Sequence, residues 1–119
     1  MADVKQTLKA INEIQGAVGA ALVDYENGMC LGVDGNGKLD LEVAAAGNTE
    51  VVRAKLRVME ELGIEGDIQD ILITLEEQYH IIRPIPKSSL FLYVAIDRKT
   101  GNLALARHKI KDIEPQLKI

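Results

Sequence analysis

Ala17-Val18-Gly19-Ala20-Ala21-Leu22-Val23-Asp24-Tyr25, then Glu26-Asn27-Gly28, then Met29-Cys30-Leu31-Gly32-Val33 is the stretch whose reading decides the fold. The first run is built from small and β-branched apolar residues, and Asn-Gly between two apolar runs is a strong short-range signal for a β-hairpin. Upstream, Val4, Leu8, Ile11 and Ile14 recur at helical spacing, and Asp3 followed by Gln6 gives an N-terminal capping signal. A helix is predicted from about Asp3 to Gln15, stopped by Gly16. Downstream, Asp34-Gly35-Asn36-Gly37 reads as a loop and Asp40 as the cap of a long helix from about Leu41 to Leu62, ended by Gly63.

Three further strands are predicted after Gly66: Asp70 to Glu76, Tyr79 to Arg83, and Leu90 to Asp97. Pro84 and Pro86 separate the second from the third, and Arg98-Lys99-Thr100-Gly101 turns the chain into a last helix, about Asn102 to Ile113. Five short strands joined mostly by tight turns and interleaved with helices imply an α+β protein with one mainly antiparallel sheet. At 119 residues, with no repeat or linker, the chain reads as one domain over residues 1–119. Ala17 to Val23 and Leu90 to Ile96 lack alternation, so both belong near the middle of the sheet with helices on either side. Ile71 to Leu75 carries no Pro or Lys to protect it at an edge, and such an edge invites pairing.

In the long helix, steps of about 100° gather Glu42, Glu50, Arg53, Arg57, Glu60 and Glu61 on one polar side. The stripe of Leu41, Ala44, Ala45, Val52, Leu56, Met59 and Leu62 is continued by Val43, Gly47, Val51, Ala54 and Val58. This apolar arc covers roughly 220°, where a surface helix needs about 100°. One sheet cannot cover it, so a second copy of the same helix is the expected cover, making the chain a homodimer. The expected interface takes in Asn48, Val51, Val52, Lys55 and Met59 from the helix and Ile71 and Ile73 from the edge strand. Asn48 and Lys55 lie within the arc, where they are expected to meet polar partners across the interface.

Composition narrows the function. Fourteen Lys and Arg against eighteen Asp and Glu leave a net charge of -4, unfavourable for binding a phosphate backbone. Aromatics are 3% with no Trp, so stacking platforms for single-stranded nucleic acid are also lacking, and nucleic acid is excluded as a partner. No apolar run approaches the roughly 18 residues of a membrane span. Met1 to Gln15 lacks the pattern of a secretion signal, and the single cysteine, Cys30, fits a reducing compartment; a cytoplasmic location is expected.

No pattern points to catalysis, and no cofactor or metal is expected. His80, His108 and Cys30 lack metal-ligand spacing, and Cys30 reads as a small packed hydrophobe. Ser88 and Ser89 have no nucleophile elbow around them. Gly28, Gly32, Gly35 and Gly37 form neither phosphate-binding glycine motif and read as turn residues.

The run Gly19-Ala20-Ala21-Leu22-Val23-Asp24 leading through Asn27-Gly28 to Leu31-Gly32, the Ala-rich helix, Ile71-Leu72-Ile73 and Tyr79-His80-Ile81-Ile82-Arg83-Pro84 together resemble the roadblock family, named for dynein light chains. The resemblance spans nearly the whole chain. It implies a profilin-like or roadblock-like fold: a five-stranded antiparallel sheet in order 2-1-5-4-3, the long helix on one face and the terminal helices on the other. It further implies homodimers in which the long helices pair and the third strands join the sheets. Prokaryotic members of the family are partners and regulators of small Ras-like GTPases, which implies a non-enzymatic regulator or binding partner of such a GTPase. A dimeric scaffold and a small-ligand sensor are the alternatives. Arg53 and Arg57 form the exposed basic pair open to a partner, unless they bridge Glu50, Glu60 and Glu61 along their own helix.

Overall fold

The computed structural model describes residues 2–118; Met1 and Ile119, the ends of the expected domain span, lie outside the described residues. Its elements are α1 (Val4–Asn12), β1 (Ala17–Asp24), β2 (Met29–Gly35), α2 (Leu41–Leu62), β3 (Ile71–Thr74), β4 (Gln78–Pro84), β5 (Leu90–Asp97), α3 (Leu103–Ile113) and a short 3-10 turn, Glu114–Gln116. All strand pairs are antiparallel, in the order β2-β1-β5-β4-β3.

Helix ends follow from their caps. Asp3 and Gln6 form a reciprocal capping box at α1, and the Asp40 and Asn102 side chains accept the Val43 and Leu105 amides at the starts of α2 and α3. Gly63 ends α2 at φ 69°, a conformation that suits glycine. Helix α1 stops at Asn12, short of Gln15, because the Ile14 amide turns back to the Ile11 carbonyl and Gly16 takes φ 84°. A Cβ on Gly16 would collide with the backbone of Gly101, so the chain passes itself here only because both positions are glycine.

The strands fill two apolar layers. Leu22, Val94 and Ile96 face Leu8 and Ile11 of α1 and Ala106 and Ile110 of α3. Val23, Phe91 and Tyr93 face Leu41, Ala45 and Val52 of α2. β1 and β5 are buried almost throughout, as their unbroken apolar runs imply.

The edge strands depart from the expected bounds. β2 runs to Gly35, beyond Val33, since Gly35 pairs with Gly19 and the two glycines leave room for Leu41 above them. β3 keeps four residues, where a strand from Asp70 to Glu76 was expected. The Leu75 amide closes the hairpin on the Gln78 carbonyl, and the Asp70 carboxylate is held by the Arg107 guanidinium of α3 at 2.8 Å through each oxygen. Arg83 and Glu114 form a second ion pair, 3.1 Å and largely buried, that ties the C-terminal turn to β4.

Candidate functional site

Helix α2 packs chiefly on β1 and β2. Its buried residues are Leu41, Ala45, Thr49 and Val52, which at about 100° per residue make a single narrow stripe. One flank turns toward β2, where Glu42 lines a shallow hollow with Val33 and Gly35. The opposite flank, carrying Ala44, Gly47, Val51, Ala54 and Val58, therefore turns toward β4 and β3. Val43, Val58 and Leu62 are 67%, 37% and 65% exposed, so much of the apolar arc has no cover within the protomer.

The expected interface residues divide. Val51 is half-buried against the α2-side layer, and Ile71 and Ile73 extend that layer to the sheet edge, where both stay half-buried. Lys55 is exposed and forms no ion pair among the described residues. Met59 is half-buried and lines a hollow with Leu56, Gly63 and Ile64. Val52 corrects the expectation: it is fully buried under its own helix, so no partner can reach it. The Asn48 amide is already held within the helix, donating to the Ala44 carbonyl at 2.7 Å. In the same way the buried Thr49 hydroxyl donates to Ala45 at 2.9 Å. Arg53 and Arg57 are exposed on the polar side of α2 and form no ion pair among the described residues, so the bridges to Glu50, Glu60 and Glu61 are not made.

Beside this surface lies a polar group that sequence reasoning passed over. The His80 ring sits edge-on to Tyr93, with centroids 5.3 Å apart and an interplanar angle of 82°. The Tyr93 hydroxyl lies 3.1 Å from His80 Nδ1, and Nε2 lies 2.8 Å from Gln78 Oε1. A neutral ring with its proton on Nε2 satisfies both contacts, accepting from the tyrosine and donating to the amide. Burial holds the imidazole below its ordinary range and pushes the phenol up to about 12, so both groups are neutral near pH 7. The only hint in the sequence is the alternation Gln78, His80, Ile82 on one face of a strand. The tyrosine partner comes from the register, which sets Ile82 opposite Tyr93 and makes His80 its diagonal neighbour.

Cys30 packs against the α2-side layer, and burial raises its thiol pKa, so the thiol is protonated and unreactive at neutral pH. A hollow between Tyr25, Leu56 and the Pro84–Ser88 loop holds about 70 Å³, room for a few waters. Among the described residues, no helix is long and apolar enough to cross a membrane.

Sheet order, helix placement and the uncovered α2 flank define a class: the chain has the roadblock fold, as the sequence resemblance implies. Over 97% of its length it is similar to a Roadblock/LC7 domain from Streptomyces avermitilis, at a TM-score of 0.82 and 14% identity, covering 94% of that domain. It is also similar to Myxococcus xanthus MglB (TM-score 0.75, 22% identity, 92% of this chain and 84% of that one). The gliding protein MglB of Thermus thermophilus gives a TM-score of 0.70 at 17% identity, covering 94% of this chain and 88% of that one. No family model matches the sequence, and no curated protein matches it either.

Proposed function

We propose that the chain is a non-enzymatic homodimeric regulator or binding partner of a small Ras-like GTPase. The observation that carries the reading is the apolar flank of α2, which its own sheet leaves open and which runs on into the half-buried Ile71 and Ile73 of the free β3 edge. Two copies that align these surfaces bury the exposed Val43, Val58 and Leu62 and join two five-stranded sheets edge to edge. Burying such a side chain fully is worth about 1.5–3 kcal/mol, set against the cost of association, so the pair also relies on the main-chain hydrogen bonds of the joined β3 edges. The likeness to MglB proteins and the roadblock resemblance of the sequence support a GTPase as the partner. Arg53 and Arg57, exposed on the polar side of α2 and without an ion-pair partner among the described residues, are the residues proposed to meet it.

The test has two stages. Sedimentation at micromolar concentration is expected to return twice the mass of the chain, and a monomer there removes the dimer. The immobilised dimer is then expected to retain small Ras-like GTPases from the source organism in a nucleotide-dependent way. Equal retention of the GTP-analogue and GDP forms indicates a scaffold, and no retention of either removes the GTPase reading.

A further inference from the structure

The opposite edge of the sheet carries a second surface. Among the described residues β2 pairs only with β1, so its outer edge presents a row of backbone N–H and C=O groups with no described strand beside it. Met29, Leu31 and Val33 are 58%, 41% and 46% exposed along this edge, and the run Asn27 to Val33 holds no charge and no proline. The register with β1 skips Leu31, passing from Leu22 opposite Gly32 to Val23 opposite Cys30, so this leucine has no residue facing it. Alongside, Val4, Lys5 and Leu8 of α1 border an open groove with Leu31 and Val33. Edges normally carry lysine, proline or a bulge as protection; this one has the irregularity at Leu31 but bears apolar side chains along its own exposed run.

Charge decides what fits. Residues 24–42, the segment that contains β2 and its flanks, hold five carboxylates (Asp24, Glu26, Asp34, Asp40, Glu42) and one lysine, Lys38. That balance equals the net charge of the entire chain, -4, so the segment forming this edge is net acidic, with Lys5 of α1 as the cation bordering the groove. A second copy of β2 would set two such rims against each other. We infer that β2 is a docking edge for an extended segment of another protein, apolar at alternate positions and flanked by Lys or Arg, which adds as a sixth strand. Main-chain hydrogen bonds supply affinity in such strand addition, while alternate side chains and flanking charges supply specificity. The site is distinct from the proposed β3 pairing, because β2 and β3 are opposite edges of the sheet.

The probe is an acetylated, amidated peptide Lys-Val-Thr-Val-Thr-Val-Lys, with Glu-Val-Thr-Val-Thr-Val-Glu as its twin. Fluorescence anisotropy is expected to show binding of the lysine peptide at least tenfold tighter than the glutamate peptide, with the gap closing as salt is raised. Amide exchange of Met29–Gly35 is expected to slow at least tenfold on binding, and Ile71–Thr74 is expected not to respond. Leu31→Lys, an exposed substitution, is expected to abolish binding with an unchanged circular dichroism spectrum and melting curve. Glu26→Lys with Glu42→Lys is expected to erase the preference between the peptides. Equal binding of the two peptides by the native chain, protection confined to β3, or full binding by Leu31→Lys overturns the inference. So does concentration-dependent self-association that Leu31→Lys abolishes, since the occupant is then a second copy.

Discussion

Two neighbouring valines on α2 differ in what they hold together. Val52 is fully buried in the protomer, and Val51 is half-buried on the open flank. An uncompensated charge at a buried position costs about 3–5 kcal/mol, a large part of a small domain's stability. Val52→Asp is therefore expected to unfold the chain or shift its urea midpoint sharply, whatever its association state. Val51→Asp is expected to leave the circular dichroism spectrum near native while sedimentation falls to the monomer mass; unfolding by Val51→Asp, or a native Val52→Asp, contradicts the assignment. His80 gives the second prediction at this scale. Its folded pKa lies below the ordinary 6.5, so above that pH the ring is neutral in both states and its contribution to stability is complete. As pH falls through 6.5 the unfolded ring takes up a proton first, and stability declines until the pH passes below the folded value. The urea midpoint is expected to drop on acidification below about pH 6.5, and His80→Gln is expected to flatten that part of the profile.

At the scale of elements, local chemistry was legible and distant partners were not. Asp3, Asp40, Asn102 and Gly63 mark helix ends through bonds to residues three or four away, and such signals are written in the sequence. β3 is shorter than the expected Asp70 to Glu76: the Asp70 carboxylate is held by Arg107, 37 positions along the chain, and the Leu75 amide closes the turn on Gln78. The excess of apolar arc on α2 was legible as well, but the residue at its inner boundary was not. Val52 and Met59 lie on the same stripe by angle, and only the placement of the helix over β1 and β2 buries one and half-exposes the other. The edge strand yields its own prediction. If β3 pairs with its mate across the dimer, the amides of Ile71–Thr74 exchange slowly although no strand of the protomer covers that edge. Ile73→Pro removes a donor from the ladder and is expected to weaken the dimer more than Ile73→Val. Fast exchange across all four residues, with the dimer intact by sedimentation, leaves helix pairing as the sole contact.

For the whole molecule, the question is which partner supplies the catalytic chemistry in the proposed regulation. The chain has no phosphate-loop motif and no Walker lysine, so acceleration of GTP hydrolysis by it has two physical sources. Either an arginine enters the partner's site, worth about 10³ to 10⁵ in rate, or docking orders the partner's own catalytic residues. Arg53 and Arg57 sit on one helix, about one turn apart, and are exposed. Charges held at a rim in this way speed encounter and fade with salt, in contrast to a finger buried against a phosphoryl group. Arg53→Ala and Arg57→Ala are thus expected to weaken association modestly, with a smaller effect at high salt. At saturating regulator the hydrolysis rate of the partner is expected to stay within about tenfold of native, roughly 1.4 kcal/mol of barrier. A thousandfold loss at saturation from either substitution assigns that arginine to the transition state and shows that the regulator completes the active site itself.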